Sequence, residues 1–124
     1  MTYHPIKTQT DIYHFLDRTN GLHDAHLIGV HYAHAGISGG NPCIIDPELT
    51  ELTLRWLVTS IYDTVVELTF SGLLEWQIRD SGMDITDTAV SFTDKGFVRW
   101  TDDPEFSESS SYVIAQTMKW RFCQ

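Results

Sequence analysis

Six histidines, His4, His14, His23, His26, His31 and His34, fall within the first 34 residues of a 124-residue chain, and none follows. The segment His23-Asp24-Ala25-His26 offers two imidazoles and a carboxylate, a donor set suited to zinc or another transition ion. His31-Tyr32-Ala33-His34 repeats the spacing. That spacing argues against convergence: residues three apart on a strand face opposite sides, and two ligands on one helical face need a separation of four. The competing reading is a helix-to-strand corner at which His23 or Asp24 satisfies backbone amides. A His-Asp doublet is also central to metal-dependent phosphohydrolases, but those use further distant ligands on helices, and this chain supplies none.

Other reactive patterns fail on context. Gly36-Ile37-Ser38-Gly39-Gly40 spells the G-x-S-x-G of serine hydrolases, yet prolines at 42 and 47 follow where a helix must start, and every histidine precedes the serine. It reads as a glycine loop. Asp102, Asp103, Glu105 and Glu108 lack the spacing of a calcium loop, as do Asp80, Asp84 and Asp87. Glu67 and Glu75 cannot be placed at glycosidase distances from sequence. Cys43 and Cys123, the only cysteines, read as free thiols, and neither has a nearby histidine to activate it. The expectation is a protein that is not an enzyme and needs no cofactor.

Charge narrows the partners. Eight basic against 17 acidic residues give a formal charge of -9 with no basic run, which disfavours nucleic acid and anionic membranes. No apolar stretch is long enough to span a bilayer, and the first ten residues lack the form of an export signal, so a cytoplasmic protein is expected. The acidic balance suits a basic protein partner, approached by electrostatic steering.

These residues must be held by a recognisable set of elements. Thr8 or Thr10 can cap a helix over Asp11–Thr19, with Ile12, Phe15, Leu16 and Thr19 on one face and Gly21 closing it in the left-handed conformation. From residue 25 the apolar period changes to two. Inward positions are expected to be Ile28, Val30 and Tyr32, then Leu52, Leu54, Trp56 and Val58, then Val66, Leu68 and Phe70. After a bend at Gly72 the pattern resumes with Leu74, Trp76 and Ile78, then Val90, Phe92, Val98 and Trp100, and finally Tyr112, Ile114, Met118, Trp120 and Phe122. Asp94-Lys95-Gly96 suits a three-residue hairpin loop that sets Phe92 beside Val98 and Val90 beside Trp100. Leu57, Val65, Leu73, Phe97, Val113 and Ala115 fall on the opposite parity, so that face needs some cover, and a homodimer is one way to supply it. The fold class is α+β, mainly β: one domain over 1–124, with a short amino-terminal helix and six or seven antiparallel strands in a curved sheet, sandwich or partly open barrel.

The run His23-Asp24-x-x-Leu27-Ile28 after a helix, Val66-Glu-Leu-Thr-Phe70-Ser-Gly72-Leu73, Val98-Arg-Trp100 beside an Asp-rich loop, and Val113-Ile-Ala115-Gln-Thr-Met-Lys119-Trp-Arg121 resembles an uncharacterised family of short bacterial proteins over about residues 20 to 123. More distantly it is similar to small bacterial immunity proteins, and that similarity implies a binder that neutralises a toxin. The expected function is therefore a protein–protein interaction module, possible in an immunity version. The alternative is a metal-binding protein or metal-dependent enzyme built on the amino-terminal histidines. The candidate contact residues are His23, Asp24 and His26 together with Trp100, Asp102 and Asp103.

Overall fold

The computed structural model describes residues 2–34, 50–79, 88–103 and 111–123. The glycine loop with Ser38 and Cys43, and the acidic residues at 80, 84, 87, 105 and 108, lie outside them. Among the described residues seven antiparallel strands form a single open sheet, which realises the curved-sheet alternative and not the sandwich. They are β1 (His4–Pro5), β2 (Ala25–His34), β3 (Thr50–Val58), β4 (Thr64–Gln77), β5 (Ala89–Phe92), β6 (Val98–Thr101) and β7 (Tyr112–Cys123). The order is β2-β3-β4-β7-β6-β5, with β1 pairing β7.

Helix α1 (Gln9–Arg18) starts at Thr8, whose hydroxyl accepts from the Asp11 amide while the Asp11 carboxylate accepts from the Thr8 amide. This reciprocal cap satisfies amides that have no partner within the helix. Thr8→Ala is expected to cost about 1 kcal/mol, read as a shift of the urea midpoint at unchanged slope. The helix buries Ile12 and Phe15, and Phe15 packs 5.5 Å from the Trp120 ring. α1 therefore lies against the inward face of the sheet.

The sheet is strongly curled. β3 and β6 are three strand spacings apart, roughly 14 Å in a flat sheet, yet the Trp56 and Trp100 ring centroids lie 5.8 Å apart. Phe70 meets Trp100 at 6.1 Å beneath them. Leu52, Leu54, Val58, Val66, Leu68 and Phe70 are fully buried around this aromatic centre, as the period-two reading predicts. The β5–β6 hairpin also keeps its expected register, Phe92 with Val98 and Val90 with Trp100. Its turn depends on Gly96 at φ 83°, a conformation that costs other L-residues about 1 kcal/mol or more.

Strict alternation fails at two inserted residues and one glycine. Ile28 is a bulge residue between Leu27 and Gly29, so Ala25 and Leu27 face inward before it and Val30 and Tyr32 after it. Ile28 itself is 53% exposed, contrary to its expected inward position. Gly72 has φ 69°, and Leu74 is the extra residue of a second bulge. The strand turns over there. Leu73, Val113 and Ala115 consequently join the core, where simple parity had put them outside, and Ile114 takes the outer side. Leu57 and Val65 remain on the outer face, half-buried and in register with each other and with Cys123.

Candidate functional site

The expected contact residues do not form one site. His23 and Asp24 sit in the corner between α1 and β2, where Asn20, Gly21, Leu22 and Asp24 all have positive φ. The corner is fastened through its carbonyls: Ser60 Oγ donates to the His23 carbonyl at 2.7 Å and Thr59 Oγ1 to the Asp24 carbonyl at 3.0 Å. Asn20 Nδ2 reaches Ser60 Oγ at 3.1 Å. A helix-to-strand corner is thus what forms, and hydroxyls from the turn after β3 help to secure it. His23 Nε2 lies 3.6 Å from Asp24 Oδ2, both half-exposed. His26 is the second residue of β2, opposite Leu57.

Trp100 is fully buried and forms the centre of the core, so it cannot be a contact residue. Asp102 and Asp103 follow β6 beside the start of β7, at the end of the sheet opposite the histidine corner. There Asp102 closes a loop: its Oδ1 accepts from the Ser111 amide at 2.9 Å, and its own amide donates to the Ser111 carbonyl at 3.1 Å. Burial outweighs those bonds and pushes the Asp102 carboxyl up from its ordinary value. Thr101 Oγ1 donates to the Ser111 carbonyl and accepts from the Asp103 amide. The Asp102–Asp103 pair is a loop closure. Among the described residues no three His, Cys, Asp or Glu side chains converge to hold a metal ion, and Cys123 is a free thiol.

The outer face of the sheet holds the polar constellation that sequence reasoning passes over. Gly29, Arg55, Glu67 and Arg121 occupy one cross-strand row over β2, β3, β4 and β7. Glu67 is 2% exposed. Its Oε2 accepts from Arg55 Nε at 2.9 Å and its Oε1 from Arg121 Nε at 3.0 Å. Tyr3 donates its hydroxyl to Oε1. The Tyr3 ring in turn lies under two cations, Lys119 Nζ at 4.2 Å and the Arg121 guanidinium at 4.4 Å. Burial alone would raise the Glu67 carboxyl, but the bonds from Tyr3 and Arg121, the Arg121 charge and the Arg55 bond together hold it below its ordinary value. Burial and the Glu67 bond raise Tyr3, which stays a donor. A signal existed in the sequence, since Arg55, Glu67 and Arg121 all occupy the polar parity of their strands. Finding the triad required knowing that β7 returns beside β4.

A second feature is the edge strand. Val30 and Tyr32 face the concave side but lie at its rim, 48% and 44% exposed, with Ile28 next to them. Tyr32 stacks on Trp76 at 5.8 Å, and Trp76 and Leu74 are themselves 39% and 45% exposed. Trp76 holds the inward side, as its parity predicts, but at the margin of the core. No helix among the described residues is long and apolar enough to cross a membrane.

The chain matches no family profile, no curated protein and no solved structure.

Proposed function

We propose that this chain is a non-enzymatic protein-binding module, and that it takes an extended segment of a basic partner along the outer edge of β2. One observation carries the reading: Ile28, Val30, Tyr32, Leu74 and Trp76 stay 39–53% exposed on and beside a strand that pairs on only one side among the described residues. Sheet edges are ordinarily blunted by lysine, proline or inward charge. Residues 29–34 carry no lysine or proline, and past the Ile28 bulge the strand runs in register with β3. An added strand would pair with the β2 backbone groups that have no strand partner among the described residues, while Tyr32 and Trp76 supply a stacked aromatic anchor. The charge of -9 favours a basic partner and disfavours a second copy of the same chain. A toxin neutralised by stoichiometric binding is the specific form of this reading that the resemblance to immunity proteins suggests.

The test is affinity capture from the source cells at low and high salt, using the wild type and the double variant Val30→Lys, Tyr32→Lys. A basic protein retained by the wild type at low salt, released at high salt and lost by the folded variant is the expected result. An identical set retained by both, or nothing retained by either, overturns the reading. A captured partner that kills cells unless this chain is co-expressed would establish the immunity role.

A further inference from the structure

The Arg55–Glu67–Arg121 row opens onto a groove of about 490 Å³, which shares Val30 with the proposed β2-edge contact. Gly29 and His31 line its β2 side and Thr53 adjoins Arg55. This volume is that of a small-molecule site. Its charge is opposite to that of the whole chain, because two guanidinium groups outnumber one carboxylate.

The way the arginines are held decides what the groove suits. Each spends its Nε on Glu67, and among the described residues the terminal η nitrogens of both make no hydrogen bond. Glu67 cannot swing out to compete, since both its oxygens are engaged and the side chain is buried. The carboxylate thus tethers each guanidinium through its Nε, with Arg121 also on the Tyr3 ring and the Arg55 side chain 53% exposed, and leaves η donors to face the groove. Arg55 and Arg121 stand on strands two spacings apart, roughly 10 Å at the backbone, and both reach the same carboxylate. The Thr53 hydroxyl and the His31 ring add donors at the β2 side. That many donors exceed what two carboxylate oxygens can accept and match the three terminal oxygens of a phosphate. Gly29 keeps the floor open: a Cβ there would sit 3.6 Å from the Arg55 Cβ, in ordinary contact, so a larger residue fits the strand but occupies the groove.

We propose that this groove binds the phosphate group of a small phosphomonoester, through Arg55 and Arg121 with Thr53 and His31 beside them. Polynucleotides are poor ligands for it, because a chain of -9 repels an extended polyanion.

Calorimetric titration of the full chain with inorganic phosphate, glycerol phosphate and acetate at low salt tests the proposal. Saturable one-to-one binding of phosphate and glycerol phosphate is expected, with acetate weaker. Arg55→Gln should weaken both phosphates roughly tenfold or more. That variant also removes a partner of a buried carboxylate, so Gly29→Val provides a second arm that leaves every charge in place. It is expected to weaken glycerol phosphate by a similar factor while the thermal melt stays near wild type. Absence of saturation with either phosphate, acetate binding as tightly as phosphate, or glycerol phosphate affinity unchanged in Gly29→Val would each overturn the assignment.

Discussion

Glu67→Gln is expected to lower the unfolding free energy by about 3 kcal/mol, measured by urea denaturation near neutral pH. The carboxylate is 2% exposed and serves three donors, Arg55, Arg121 and Tyr3. Removing one member of a buried ionic cluster typically costs about 3–5 kcal/mol, because its partners lose their counter-charge. The lower end applies here, since the Arg55 side chain is 53% exposed and can turn to water. The same variant should change the pH dependence. The Glu67 carboxyl is held below its ordinary value of 4.5 in the folded state. Its contribution is therefore complete above that value and is lost as pH falls through the depressed one. Asp11, also lowered, chiefly by the Lys7 amide, adds a loss in the same range. Subtracting the Glu67→Gln curve from the wild type isolates the Glu67 share. A difference that stays constant from about pH 7 to about pH 3 would contradict this account.

Trp100→Ala should be the other severe change, costing about 3–5 kcal/mol. The indole is fully buried between Trp56 and Phe70, the contact that spans the curl of the sheet. Against a typical total of about 5–15 kcal/mol, such a loss leaves a barely folded domain. Trp100→Phe should cost much less. The Trp100 Nε1 is buried without a hydrogen-bond partner among the described residues, and phenylalanine removes that group while keeping a ring. If Trp100 were a binding residue, as its place beside Asp102 suggests in the sequence, alanine would spare stability and abolish binding. Thermal melts of the two variants separate these outcomes.

Where one local rule acts, the sequence states the structure. Thr8 and Asp11 announce the start of α1, Asp94-Lys95-Gly96 sets the last hairpin, and the inward positions Leu52, Leu54, Trp56, Val58, Val66, Leu68 and Phe70 are all buried as their parity predicts. Departures come from insertions of one residue. Ile28 and Leu74 are hydrophobic like their neighbours, so nothing in their chemistry marks them as bulges, and each reverses the parity that follows. The charged row was hidden for another reason. Arg55 and Glu67 are opposed by the β3–β4 pairing of consecutive strands, whereas Arg121 arrives from a strand 35 positions beyond the end of β4 at Tyr112 and after β5 and β6 have intervened. The histidines, conspicuous by count, were a poor guide because proximity in sequence did not become convergence in space.

The placement of β7 constrains how the chain can be made. Of the described strands it is the last to be synthesised, yet it lies between β4 and β6, hydrogen-bonded to both. Until it leaves the ribosome, the β2-β3-β4 meander and the β5–β6 hairpin are two unjoined halves, each displaying a raw border. Closure of the whole sheet is thereby postponed until β7 has been made, and a ribosome stalled before Tyr112 would present the cell's chaperones with a sheet lacking its keystone.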